Sequence, residues 1–113
     1  MTYTVNCPGP ITVTYPGKKY DVFVRWDGVC DSNDGVFIIY NKETGRIVTV
    51  IDGLSEYEIR RIYMLLNNVK DIDEWVTTTF ELDKPINGKH AQEYFENRLC
   101  EVIYGKTRLP IDL

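Results

Sequence analysis

The residue types that most often perform chemistry in proteins are scarce in this sequence. It contains one histidine, His90, and three cysteines, Cys7, Cys30 and Cys100, and no two cysteines form a CxxC pair. Structural zinc sites use closely spaced Cys and His ligands, and a Ser-His-Asp set needs a histidine held by an acid. The phosphate-binding motifs GxxxxGK(S/T) and GxGxxG are absent. We therefore predict no catalytic residue, no metal ligand and no cofactor, and we expect that the protein is not an enzyme.

Residues 27–35 contain many of the oxygen-bearing side chains that calcium prefers. If Gly35 took the sixth position of an EF-hand loop, Cys30 would take the first position and Asn41 the twelfth. An EF-hand needs an oxygen ligand at its first position and a bidentate glutamate at its twelfth, so this register fails. Asp, Asn, Ser and Gly are also common in connections between strands. We interpret the segment as a loop and leave open a cation site of another kind.

One face of a predicted helix carries residue types that are typical of protein interfaces. Ser55 and Glu58 have the spacing of a capping box, and the helix is predicted over residues 56–67. Its core stripe comprises Ile59, Ile62, Tyr63 and Leu66, and its opposite side comprises Tyr57, Arg60, Arg61 and Met64. Solvated helix faces usually carry Glu and Lys, whereas Tyr, Arg and Met are enriched at interfaces. We predict that Tyr57, Arg60, Arg61 and Met64 form a partner-binding surface; a plain exposed face is the alternative.

The first half of the chain has the patterns of β-strands. Residues 2–6, 11–15 and 19–26 alternate apolar and polar side chains, as half-exposed strands do. Two further runs, residues 36–40 and 47–51, are nearly continuously apolar, which is typical of strands covered on both faces. We predict that these two runs pair as a hairpin near the centre of the sheet, with a turn that ends at Gly45.

The second half is predicted to mix helix and strand. Residues 75–82 include three consecutive threonines, which favour a strand. A second helix is predicted over residues 89–104, ended by Gly105, and residues 107–111 are predicted as an edge strand. Residues 1–113 should therefore form a single α+β domain, in which two helices pack on an antiparallel sheet of five to six strands.

The charge balance excludes several classes of partner. The 113 residues carry a net charge of −4, so the basic footprint of a general nucleic-acid or anionic-membrane binder is missing. Much of the acidic excess comes from Asp71, Asp73, Glu74, Glu81 and Asp83. We interpret these acids as solvated surface, with an acidic mimic of nucleic acid as the alternative. The start of the sequence lacks the pattern of a signal peptide, and no apolar run is long enough for a membrane span, so a cytoplasmic protein is expected.

These observations together favour a small non-catalytic protein-binding module. Its size and its lack of a catalytic set are compatible with an inhibitor or an immunity-type accessory protein of phage or mobile-element origin. The partner would be another protein of unknown identity, and a homo-oligomer is compatible with the sequence. Alternatives are a self-assembling structural component, an acidic nucleic-acid mimic and a small-ligand-binding module.

Overall fold

Four β-strands and three α-helices make up the part of the chain that the computed structural model describes, residues 9–29, 32–84 and 91–105. The strands are β1 (Ile11–Pro16), β2 (Tyr20–Trp26), β3 (Gly35–Asn41) and β4 (Arg46–Leu54). The helices are α1 (Glu56–Leu66), α2 (Ile72–Phe80) and α3 (Ala91–Tyr104). All four strands pair antiparallel, and their order in the sheet is their order in the sequence.

The α+β class is confirmed, but the predicted numbers of elements are not. The described residues contain four strands and three helices, where five to six strands and two helices were predicted. The predicted strands over residues 2–6 and 107–111 lie outside the described residues. The predicted hairpin of β3 and β4 is present, with Asn41 opposite Arg46 and Gly45 at φ 71°. Within the described sheet β3 has neighbours on both sides and β4 lies at an edge.

Residues 75–82 are the clearest error of the sequence analysis, because most of them belong to helix α2 and none to a strand. The Asp71 side chain caps this helix by accepting a hydrogen bond from the backbone N–H of Glu74 at 3.1 Å. Ile72, Val76 and Phe80 recur at helical spacing, and all three are buried. Burial of this stripe outweighs the weak helix propensity of the threonines, which is a difference of only tenths of a kcal/mol per residue.

The core lies between the helices and one face of the sheet. Val22 and Val24 of β2 and Phe37 and Ile39 of β3 are completely buried. Phe37 contacts the rings of Trp75 and Phe80 of α2, with centroids 6.4 Å and 6.0 Å away. Among the described residues nothing covers the opposite face to the same degree: Val36, Ile38 and Tyr40 are only half-buried. The expectation that β3 and β4 are covered on both faces is therefore wrong for this part of the chain.

The predicted helix boundaries rest on local hydrogen bonds that the structure contains. Ser55 accepts from the backbone N–H of Glu58 at 3.2 Å, and the Glu58 carboxylate accepts from the backbone N–H of Ser55 at 2.9 Å. Gly105, at φ 81°, donates to the carbonyl of Glu101 and ends α3 as predicted. None of the described helices has the length and apolar composition that crossing a membrane requires.

Candidate binding groove beside helix α1

The predicted partner-binding residues share one exposed face of α1. Tyr57 is 56% exposed and Met64 is 62% exposed, and both arginines also lie on the exposed side. On the core side, Ile59, Ile62 and Leu66 are at most 1% exposed. Tyr63 of the predicted core stripe is half-buried between the two sides. The division of α1 into a buried stripe and an exposed stripe is therefore present in the structure.

A groove of about 700 Å³ runs between this exposed stripe and the start of the sheet. Its lining is Pro10, Ile11, Thr12, Val13, Tyr57, Arg60, Arg61, Tyr63 and Met64. The groove exists because the helices stop short of β1. Val24 of β2 is completely buried, but its neighbour across the ladder, Val13 of β1, is only half-buried.

Tyr15 connects β1 with the end of α1. Its hydroxyl donates a 2.8 Å hydrogen bond to the Asn67 side-chain oxygen and lies 3.3 Å from the carbonyl of Tyr63. Burial, together with the nearby Tyr63 hydroxyl, raises the pKa of Tyr15 to about 12. A tyrosine hydroxyl is protonated at neutral pH, and the raised pKa keeps this one a donor in mild alkali as well, so its bond to Asn67 links β1 to the end of α1.

The two arginines of the stripe have different surroundings. Arg60 lies 3.6 Å from Glu56, which is one helical turn earlier, and its side chain is 48% exposed. Arg61 directs two guanidinium nitrogens at the Ile103 carbonyl near the end of α3, each at 3.4 Å. Arg60 therefore has an acidic partner on its own helix, whereas Arg61 helps to hold α1 against α3.

The aromatic end of the stripe continues onto α3. The Tyr57 ring stacks on the ring of Tyr104, with centroids 5.9 Å apart. The Tyr104 hydroxyl donates to the Glu58 carboxylate at 2.9 Å. Burial and this hydrogen bond raise the pKa of Tyr104 to about 12. Tyr57 is thus an exposed ring held in one place by its neighbour, and such a ring loses little entropy when a partner covers it.

The described residues show no alternative site with the ligands of a metal ion. They contain no group of three or more His, Cys, Asp or Glu side chains close enough to hold one. Cys100 is a half-buried free thiol on α3. Cys7, Cys30 and His90 lie outside the described residues.

In the described part of the acidic segment 27–35, the Asp27 carboxylate is hydrogen-bonded to neighbouring residues of the same segment. Asp27 accepts hydrogen bonds from the Val29 backbone N–H and from the Ser32 hydroxyl, both at 3.0 Å. The Val29 bond and a further bond from Asp34 lower the pKa of Asp27, and the same carboxyl pair raises the pKa of Asp34. This arrangement fits the interpretation of the segment as a loop, because the Asp27 carboxylate accepts its hydrogen bonds from within the segment.

Most of the acids between residues 71 and 83 also have structural partners. Asp71 caps α2, and Glu81 lies within 3.5 Å of both Lys84 and Arg98. The Asp73 carboxylate accepts hydrogen bonds of 2.9 to 3.1 Å from the backbone N–H groups of Lys18, Lys19 and Tyr20. These acids therefore serve the fold, which favours a structural interpretation over a nucleic-acid mimic.

The sequence identified the α1 half of the groove but not the β1 half. The alternation in residues 11–15 placed Ile11 and Val13 on one face, but nothing in it indicates that α1 lies next to that face. No protein-family model, no curated protein and no solved structure matches this chain. The function is therefore inferred from the geometry of the chain itself.

Proposed function

We propose that the protein is a non-catalytic binding module that docks another protein in the groove between α1 and β1. The observation that carries this proposal is the exposed stripe of Tyr57, Arg60, Arg61 and Met64, which forms one wall of the groove. An inhibitor or immunity-type accessory protein of phage or mobile-element origin, acting in the cytoplasm, is the specific form of the proposal. The small size of the chain supports that form.

The chemistry of the groove favours a protein segment with both apolar and acidic side chains. Ile11 and Val13 supply an apolar floor, and Met64 adds an adaptable thioether. Arg60 and Arg61 bring two positive charges to one groove of a chain whose net charge is −4. Arginine and tyrosine are the types that most often dominate binding energy when a partner excludes water from them. An acidic side chain flanked by apolar residues is therefore the complementary feature that we expect in the partner.

Two substitutions on the exposed stripe test the proposal. Partners captured from the native host with the tagged chain are identified by mass spectrometry, and their affinity is then measured with purified components. A Tyr57→Ala, Arg60→Ala variant should bind at least about tenfold more weakly, because two anchors are lost. Its melting temperature should change little, because both residues are exposed.

A matched control is available on a different surface of the domain. The Val29 side chain is 58% exposed, a fraction similar to the 56% of Tyr57. Lys70 is an exposed cation that does not line the groove. A Val29→Ala, Lys70→Ala variant should keep the affinity of the native chain. If the groove variant melts normally and binds with unaltered affinity, the groove is not the docking site. If the groove variant instead loses the ability to bind a small molecule that the native chain binds, the chain is a ligand-binding module.

A further inference from the structure

The face of the sheet that points away from the helices has an apolar centre. Phe23 of β2 lies opposite Ile38 of β3, and Ile38 lies opposite Val50 of β4. The next row contains Tyr40 opposite Ile47. Ile47 is 57% exposed and Val50 is 38% exposed. An open depression of about 330 Å³ lies among Phe23, Arg25, Ile38, Tyr40 and Ile47.

On β3, this outer face is as apolar in sequence as the face that the helices cover. Antiparallel sheets that leave one face in water normally alternate apolar and polar side chains, but residues 36–40 are apolar at every position. Contiguous exposed apolar patches of more than a few hundred Å² are uncommon on monomeric proteins and often mark interaction sites. The composition of β3 therefore predicts that a second layer covers the outer face.

We propose that the second layer is another copy of this chain, and that two sheets pack face to face in a two-fold dimer. The charges at the two ends of β2 point to this occupant. Asp21, Phe23 and Arg25 alternate onto the outer face, with the acid at one end and the base at the other. The two-fold axis lies between the two sheets, is perpendicular to the strands and passes at Phe23. The strands of one copy then run opposite to those of the second copy. Arg25 of each copy then approaches Asp21 of the second copy, while the apolar centres meet.

Arg25 and Asp21 can both form an ion pair between the two copies. Arg25 is exposed, and the described residues contain no ion pair that involves it. Asp21 lies 3.2 Å from Lys42 through one carboxylate oxygen, Oδ1. A carboxylate has two oxygens and accepts several hydrogen bonds, so its second oxygen can accept from a guanidinium. The outer face is thus complementary to itself.

The size of the face sets the strength of the association. Four strands about 4.8 Å apart and about six residues long, at about 3.4 Å per residue, span roughly 400 Å² on each copy. Two copies together contribute roughly 800 Å². Stable specific interfaces begin at roughly 1,200 Å², so the contact falls in the size range of weak, transient interfaces. We therefore expect a weak dimer that dissociates on dilution, with a dissociation constant in the upper micromolar range.

Sedimentation or light scattering over a concentration series of roughly 1 to 500 μM tests the proposal directly. The average mass should rise from one copy to two and should not exceed two, because the two-fold contact closes. Ile47→Lys should hold the chain at the mass of one copy throughout, because it places a charge at the exposed rim of the apolar centre. Arg25→Glu should weaken the association about tenfold or more, because it faces an acid of the second copy.

Matched controls use residues on other surfaces. Thr78 is an exposed residue of α2, on the helix side of the sheet, and Thr78→Lys should leave the association unchanged. Lys70→Glu changes charge by the same amount as Arg25→Glu and should also leave it unchanged. Circular dichroism and thermal melting establish that each variant is folded.

Three results would overturn the dimer. The first is a native chain with one mass across the whole series, and the second is a native chain that associates without limit. The third is an Ile47→Lys variant that associates as the native chain does. A chain that stays monomeric, with Ile47→Lys lowering its melting temperature by several degrees, would show that the face is covered within one copy. Loss of partner binding to the α1 groove would leave this test unaffected, because the groove is on the helix side of the sheet.

Discussion

Strand β3 presents two apolar faces to two different environments. Phe37 and Ile39 are completely buried under the helices, whereas Val36, Ile38 and Tyr40 are half-buried on the outer face. The side chains on the two faces are equally apolar, so composition alone does not show which face of β3 is covered by the helices. Burial, not residue type, decides which of these side chains holds the domain together, and substitutions on the two faces should therefore differ in size.

The largest effect is expected on the covered face. Phe37→Ala should lower the free energy of unfolding by about 3 to 5 kcal/mol, because it removes a completely buried ring and leaves a cavity among aromatic neighbours. Urea denaturation measures this change. Phe37→Leu, which keeps most of the volume, should lose clearly less. Equal losses in the two variants would contradict the cavity argument, because the volume that Leu retains would then contribute nothing.

A smaller effect is expected where α2 contacts the turn between β1 and β2. Burial alone would raise the pKa of Asp73, but hydrogen bonds from Tyr20, Lys19 and Lys18 and the charge of Lys42 lower it overall. Asp73→Asn should lower the free energy of unfolding by about 2 kcal/mol, because charge-assisted bonds to backbone N–H groups are lost.

The pH dependence of this contribution has a definite sign. A carboxyl whose pKa is lowered by folding stabilises the native state at neutral pH, and its contribution is lost as the pH falls through the lowered pKa. The difference in stability between the native chain and Asp73→Asn, measured by urea denaturation, should therefore shrink in acid. A difference that is constant between neutral pH and roughly pH 2 would contradict the role of the carboxylate charge.

On the outer face, Ile38→Ala should change monomer stability by only about 1 kcal/mol, because the side chain is already half-exposed. Denaturation at low micromolar concentration isolates this value from any association. A loss as large as that of Phe37→Ala would remove the contrast between the faces. It would indicate that Ile38 is buried within a single copy.

The smallest effect is expected beside the outer face, at the carboxyl pair of Asp27 and Asp34. Their pKa values should lie on opposite sides of the usual aspartate value, lowered for Asp27 and raised for Asp34. Carbon-13 NMR of the carboxyl groups measures both. Stability should change little with pH here, because a lowered pKa favours the native state above it and a raised pKa favours the native state below it. Asp27→Asn should return the pKa of Asp34 toward its usual value.

Local signals in the sequence were sufficient for elements whose ends and faces are set by neighbouring residues. The capping box at Ser55, the turn at Gly45 and the end of α3 at Gly105 are examples. The predicted strand over residues 75–82 is wrong, because the acid cap at Asp71 and the helical spacing of Ile72, Val76 and Phe80 outweigh the strand preference of threonine. Asp71 and Ile72 lie before this segment, so residues 75–82 alone contain only two members of the buried stripe.

The candidate groove was half predictable for a similar reason. Helical spacing separates Tyr57 and Met64 from the buried stripe of α1 without any knowledge of the fold. The contribution of Ile11 and Val13 depends on which strand α1 leaves uncovered, and that is decided by how three helices share one sheet. The same limit applies to β3, whose apolar run is compatible with cover from a helix, from a strand or from a second molecule.

Gly17 and Asp73 connect parts of the chain that are far apart in sequence. A Cβ atom at Gly17 would collide with the Asp73 carboxylate and would lie 2.6 Å from the Tyr20 carbonyl, so the turn accepts the acid only because residue 17 is glycine. Between the turn and Asp73 the chain forms β2, β3, β4 and α1. The amide protons of Lys18, Lys19 and Tyr20 are therefore protected from solvent exchange by a side chain of α2, which follows α1 in the chain. Their exchange rates report the undocking of α2 from a hairpin that can itself remain paired.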